Sequence, residues 1–479
     1  MLGSNKSWGQ FSALNSYYQL GKSTYFKDVI YHEDSLIILG EVYDPNIKNI
    51  KNACLIRADT FGNIAKVKYF YIPQSDSPHL LSENTQLAQT SDGGFIFSGQ
   101  IFFSPYSITL VKVNAQFEVE FFKELFPEGG TTFPQKVIET KDAYFIGLWL
   151  GYGIQDKDLQ YCVVKTDLQG NKLWHKFYGT ETEYDKLFNI KLFKEGEITL
   201  LGNMGLFTSI TTIDTAGTIV KNLNMPADVE GNVFDIDTLA NGDYMYICSK
   251  FIDPPNYITS LRVYRVDSSG NVIWKKVIND AVHNAYLYRM HRNANDTYTI
   301  IGKEEGKGRS LCITQDGEVL WQHIYKLPFS PMPIDYYSAL LGMTALPGGN
   351  MIACGYFRDL TDLTDEEQGW LVKMDDNGCI DKNCKTLLEE NHLVNIDERL
   401  INVYPNPNNG SFKMNIPEIV NPLLLVIYDV WGREVFKKDV FPGMNEININ
   451  SVSNNGIVFF CLLNEHRELI KSGKLVMTR

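Results

Sequence analysis

Two short signals recur along residues 5–380, and their spacing constrains the fold more than any other feature of the chain. The first is a polar turn followed by an apolar run that tends to end in glycine, as in Thr90 to Gly99 and Pro347 to Gly355, with weaker copies at Asp34 to Gly40, Asp142 to Leu148, Glu195 to Gly202, Asn241 to Ser249 and Asn295 to Gly302. The second is a basic residue, a spacer, Asp, two residues and Gly, often followed by Asn and Trp. Lys165 to Trp174 and Arg265 to Trp274 show it best. Its glycine position falls at Gly62, Phe117 (a departure), Gly170, Gly217, Gly270, Gly317 and Gly378, with spacings of 55, 53, 47, 53, 47 and 61 residues. Self-similarity at such a period marks a repeat architecture.

Each signal has a physical basis. Asp at the head of a type I turn accepts bonds from the backbone two residues on, and Gly takes the left-handed position that closes a bulged hairpin. The flanking runs are five to eight residues long and rich in β-branched and aromatic side chains, which reads as strands. Two hairpin signals per unit make roughly four strands, the size of a propeller blade. One such sheet cannot bury both faces alone, so neighbours must stack. The last unit ends at Gly378 without its tryptophan-bearing strand, whereas Asn5 to Phe11 matches Asn171 to Phe177. The expected architecture is therefore all-β: a seven-bladed propeller of four-stranded blades over residues 1–384, its ring closed by the N-terminal strand so that no edge stays open. Residues 385–400 carry neither signal and are expected to form a linker with a processing region. Residues 401–479 read as about seven short strands, suited to a small Ig-like β-sandwich.

The formal net charge of −13 argues against nucleic acid or anionic lipid as a partner. No apolar run approaches the roughly 20 residues that span a bilayer. Six of the eight cysteines sit singly in apolar runs and are expected to be small buried hydrophobes. Cys379 and Cys384 lie in a polar segment, at a spacing that suits neither zinc nor a thioredoxin-like motif, and a local disulfide is expected there.

Catalytic motifs are scarce. Asp59, Asp167, Asp214, Asp267 and Asp375 occupy one repeat position and are expected to form turns. Asp375 to Gly378 resembles a calcium loop only in part. The eight histidines show no ligand spacing, and no nucleophile elbow or phosphate-binding loop is present. No metal or cofactor is expected. Trp8, Trp174, Trp274 and Trp321 share one phase, so blade packing explains them better than a sugar platform. Residues out of phase, in three insert-like loops, are better binding candidates: Phe102, Phe103 and Tyr106; Phe251 and Tyr257; and Phe329, Tyr336 and Tyr337 in the long loop Tyr325 to Tyr337.

The C-terminal stretch carries Val403 to Gly410 (with Pro405, Asn406 and Pro407), Val426 to Val435 (with Asp429 and Gly432), Gly456 to Phe460, and Ser472 to Val476 (with Gly473 and Lys474). In this order, flush with the end, these blocks resemble the type A sorting domain of the Bacteroidota type IX secretion system. The resemblance implies recognition by an outer-membrane translocon and removal by a sortase-like peptidase, with Pro405, Asn406, Pro407, Gly410, Asp429, Gly432, Gly456, Gly473 and Lys474 matching the family pattern. Such a cargo first needs a signal peptide. The start, Met1 to Trp8, has no apolar core, so the numbering is expected to be that of a mature or trimmed chain. The repeat resembles propellers that accompany this domain and, distantly, quinoprotein blades, but carries over no catalytic residue. Two functions stand: a secreted or surface module that binds an extracellular glycan or protein without turnover, or a glycan hydrolase or lyase with its site in the propeller funnel.

Overall fold

The computed structural model describes residues 14–43, 51–71, 79–82, 84–101, 107–125, 131–151, 159–179, 185–205, 207–225, 232–253, 258–278, 282–283, 285–325, 336–360, 366–380, 401–416, 423–449, 456–463 and 469–478. All regular elements among them are β-strands, and no helix is long and apolar enough to cross a membrane. The chain divides into two compact units, residues 1–276 with 283–386, and residues 387–479 with 277–282.

In the larger unit the strands run up and down in antiparallel groups, as in a propeller. Thr131–Glu139, Tyr144–Gly151, Leu159–Thr166 and Lys172–Tyr178 make one sheet. Asp185–Lys194 to Ile219–Asn224 and Tyr286–Arg292 to Val319–Ile324 repeat the order, as do the four strands from Asn232–Thr238 to Val272–Val277. The last sheet, Tyr336–Ala345, Met351–Asp359 and Glu367–Met374, is completed by the N-terminal strand Asn15–Tyr18, which pairs antiparallel with Glu367–Met374. That strand is not the expected Asn5 to Phe11, which lies, with Trp8, outside the described residues. Leu14 and Tyr18 hold the places that Trp174 and Tyr178 hold in their own sheet, both crowding the next turn glycine.

The first two groups depart from separate four-stranded sheets. Residues 23–125 form one nine-stranded sheet, bridged by His79–Leu80. The bridge fits because Gly99 has no side chain: a Cβ there would lie 2.3 Å from His79 Nε2. His79 is fully buried, its ring 2.6 Å from Thr109 Oγ1, and burial drives its pKa down to about 4. It is a structural, neutral histidine.

Hydrophobic cores form between neighbouring groups. Ile96, Ile108 and Leu110 pack with Val137, Ile146 and Leu148, and Phe145, Tyr161 and Val163 with Leu187, Ile190 and Leu200. One core joins the last group to the first, Ile352, Cys354 and Leu371 meeting Phe26, Val29 and Ile38. Cys54, Cys162, Cys248, Cys312 and Cys354 are buried free thiols, and Cys461 is a half-buried one. Cys379 is disulfide-bonded, and Cys384 lies outside the described residues.

The repeated turns explain this packing. Asp59, Asp167, Asp214, Asp267 and Asp375 each accept, through Oδ1, the amides two and four residues on. All seven third-position residues have positive φ, including Phe117 at 64° where glycine is replaced. The outer strand of one group then seats on the turn of the next. Lys66 Nζ donates to Gln116 O (2.7 Å), Lys123 Nζ to Asn171 Oδ1 (3.1 Å), and Tyr178 OH to Gly217 O (2.9 Å). Leu223 and Met225 approach Gly270. Trp274 Nε1 donates to Gln315 O (3.0 Å), Trp321 Nε1 to Asp376 O (2.8 Å), and Tyr18 OH to Gly62 O (2.7 Å). Trp174, Trp274 and Trp321 therefore pack against turns. A Cβ on Gly217 would meet Lys176, Tyr178 and Trp174 at 2.8–2.9 Å. We predict that Gly217→Ala loses about 1–2 kcal/mol from the left-handed backbone alone, more once Trp174 is displaced. Urea unfolding reads this, and an unchanged midpoint would mean that the turn contact contributes nothing.

The smaller unit has seven described strands in two sheets. Asn402–Tyr404, Ser411–Ile416 and Gly443–Asn448 form one, and Glu434–Val440, Leu423–Tyr428, Gly456–Leu463 and Leu469–Met477 the other. Phe412, Met414 and Ile416 alternate inward on the first, Val458, Phe460 and Leu462 on the second.

Candidate functional site

The starts of the inner strands and the ends of their partner strands share one end of each sheet, and aromatic side chains gather there. Tyr25 stacks on Tyr356 with ring centroids 4.1 Å apart, and Tyr356 on Tyr337 at 5.9 Å. Lys303 Nζ lies 4.9 Å from the centroids of both Tyr337 and Tyr286 and bonds the Tyr337 hydroxyl. Phe234 continues the row at 6.0 Å from Tyr286, and Phe188 follows at 5.5 Å. Five sheets thus contribute to one arc, of which Tyr25, Tyr286 and Tyr337 are only half-buried. On a further inner strand Phe133 stacks on Trp149 at 3.9 Å with planes 13° apart, and Lys186 covers the indole at 4.7 Å. Faces of this kind, edged by ammonium groups, suit the C–H faces and hydroxyls of sugars as well as cationic or aromatic protein side chains.

Of the residues singled out from sequence, Tyr337 belongs to this arc, but it and Tyr336 open the strand Tyr336–Ala345 and do not lie in a loop. Tyr336 lies beside it under Lys307, its hydroxyl donating to Tyr325 O at 3.4 Å. Phe251 is on strand Tyr244–Asp253, but its side chain, like Phe102, Phe103, Tyr106, Tyr257 and Phe329, lies outside the described residues. Tyr25, Phe188, Phe234, Tyr286 and Tyr356 carried no such signal because they sit within the repeated strands.

Further along the inner strands lies a polar collar. Six inner strands share a break in register, between Phe26/Asp28, Pro134/Lys136, Leu187/Asn189, Val233/Asp235, Leu287/Arg289 and Leu340/Gly342. A bulge re-aims the residues around it. Asp235 Oδ1 meets Lys191 Nζ at 2.6 Å and accepts Asn189 Nδ2 at 3.0 Å, while Oδ2 accepts the Met290 amide at 2.9 Å. Asp28 Oδ2 accepts the Leu87 amide at 2.9 Å, and Arg289 Nη2 donates to Asn84 O at 3.1 Å. Gly342 leaves room for Asp28, since a Cβ there would lie 2.5 Å from the Asp28 Cα. Burial opposes the charge on Asp235, but Lys191 and Arg289 outweigh it and hold its carboxyl below the usual value. At Asp28 burial prevails over Arg289 and raises the carboxyl. Both Asp235 oxygens are committed to neighbouring strands, so the collar ties sheets together instead of offering a free acid–base pair. A signal for it existed: an apolar residue, a second residue, a polar one, then Val, Ile or Met, as in Phe26 to Val29 and Val233 to Ile236. Among the described residues, no three His, Cys, Asp or Glu side chains are grouped so as to hold a metal ion.

In the smaller unit the motif blocks are physically joined. Asn406 Nδ2 donates to Lys474 O and its Oδ1 accepts the Val476 amide, both at 2.8 Å. The Tyr404–Pro405 and Asn406–Pro407 bonds are cis. Gly410 and Gly432 have positive φ, and a Cβ on Gly473 would lie 2.5 Å from the Phe460 ring. Asp429 accepts the amides of Trp431 and Arg433 and the Arg433 guanidinium, shaping a hairpin whose tip exposes Val430 and Trp431. Gly456 has open space around it.

Residues 402–477 match the secretion system C-terminal sorting domain. An all-β, propeller-like body that ends in such a domain defines a secreted protein carrying its address at the C-terminus. The chain is a cargo of the type IX secretion system, exported to the cell surface or the extracellular space. No curated protein matches it. Among solved structures it is similar to a puromycin hydrolase (10% identity, TM-score 0.46), covering 82% of this chain but only 58% of that one. An α-L-arabinofuranosidase from Fusarium graminearum (10%, TM-score 0.45) is matched over 76% of this chain and 98% of its own. A polysaccharide lyase (12%, TM-score 0.45) is matched over 76% and 100%.

Proposed function

We propose that this cargo is a seven-bladed propeller, residues 1–384, that binds an extracellular glycan or a protein surface without cleaving it. A linker at 385–400 contains the processing site, and the 401–479 module, a small Ig-like sandwich, engages the translocon and its sortase-like peptidase. Seven blades account for the seven turn contacts, the last of which, Tyr18 on Gly62, returns from the final sheet to the first. The aromatic arc from Tyr25 to Phe188 carries the binding role. The collar carboxylates favour binding over turnover, since Asp28 and Asp235 are buried and bonded to backbone amides. A glycan is the preferred ligand, because the half-buried Tyr25, Tyr286 and Tyr337 combine aromatic stacking area with phenolic hydroxyls. Tyr356→Ala removes the ring that joins Tyr25 to Tyr337, and affinity for the bound polysaccharide should fall about tenfold or more, the equivalent of about 1.4 kcal/mol. Titration of the full chain and the variant tests this. Equal affinities, with the fold intact by circular dichroism, would remove the arc from the binding site. Release of new reducing or unsaturated ends would assign the alternative, a glycan hydrolase or lyase.

A further inference from the structure

At the other end of the inner strands, three neighbouring ones leave an open pocket of about 350 Å³ lined by Gln89, Lys136, Glu139, Lys191 and Phe193, with apolar neighbours between them. We infer that this pocket binds a small organic carboxylate, with Lys136 as its counter-ion and Lys191 beside it. The site is separate from the aromatic arc and does not rest on the glycan reading.

Of the three cations around the pocket, Lys136 alone is left without a direct contact among the described residues. Lys191 is spent on Asp235. Glu139 is held at the rim by Ser91, whose amide (2.6 Å) and hydroxyl (3.0 Å) bond its two oxygens. Asp28 takes the Leu87 amide, and Arg289 the Tyr288 and Asn84 carbonyls. Lys136 makes no hydrogen bond or ion pair among the described residues, although it is half-buried. A half-buried ammonium that no carboxylate contacts directly is costly, and an entering anion offsets that cost. Glu139 on the same wall disfavours a dianion, so a monoanion fits better than phosphate. The apolar stretch beside Phe193 suits the carbon body of the acid. Burial first, and then the charge of Lys191, lower the Lys136 amine to about 8 against the attractions of Asp235 and Asp28.

Isothermal titration of the full chain with glucuronate, acetate, glucose and inorganic phosphate tests this. The expected result is saturable binding of the two carboxylates, none of glucose, and weaker binding of phosphate. Lys136→Met should lose at least tenfold in affinity while melting no lower than the parent, and Lys136→Arg should keep the binding. Because the ammonium is required, affinity should fall about tenfold per pH unit above pH 8. Absent carboxylate binding, or a Lys136→Met chain that binds as the parent does, overturns the inference. Phosphate binding more tightly than glucuronate overturns the choice of a monoanion.

Discussion

A chain ending at residue 400 should accumulate in the periplasm, while the full chain reaches the surface or the medium. The sorting module is a folded unit in which the signal blocks support one another, so its loss is all or none. The same physics predicts a graded series. Asn406→Ala breaks the two bonds that tie the Pro405–Pro407 segment to the Lys474–Val476 strand, and should reduce export strongly. Gly456→Ala meets open space and should export nearly as the parent does. Protease shaving of whole cells with immunoblotting of fractions reads all three. Normal surface display of the truncated chain would contradict the assignment of residues 401–479.

Asp235→Ala should be the most damaging single change in the larger unit, at about 3–5 kcal/mol, because breaking one partner of a buried pair strands the other. Here it strands Lys191 and the Met290 amide at once and takes one of two acceptors from the Asn189 amide group. The pH dependence gives an independent check. The Asp235 carboxyl is held below its ordinary 3.8 in the fold, so its stabilisation is fully present above that value and disappears as pH falls through the folded value. The gap between parent and variant should therefore be widest at neutral pH and close under acid. Urea unfolding at several pH values measures it. A gap that is small at pH 7, or that grows on acidification, would show that Asp235 does not tie the inner strands.

What could be read from the sequence was what is local. Asp59, Asp167 and their equivalents bond amides within four residues, so each turn is written in five letters, and even Phe117 keeps the left-handed backbone. The packing role of Trp174, Trp274 and Trp321 followed from their fixed phase. The collar was hidden because each strand contributes a different side chain, Asp28, Lys136, Asn189, Asp235 or Arg289, and only the three-dimensional arrangement brings them together. Most of the arc was hidden for the opposite reason. Tyr25, Tyr286 and Tyr356 lie within ordinary strands, where an aromatic residue is unremarkable, whereas Tyr337 stood out by falling in a long non-repeating stretch. The strand that completes the last sheet is Asn15–Tyr18 and not Asn5 to Phe11, because the latter imitates Asn171 to Phe177 in letters while Leu14 and Tyr18 meet the packing need at Gly62.

The most direct test of the binding role is titration of the full chain against polysaccharides and surface glycans, with product analysis on the same samples. Saturable binding that depends on Tyr356 and yields no new chain ends is the predicted result. Turnover of any bound glycan, or binding to none of them, would contradict a non-cleaving glycan-binding propeller.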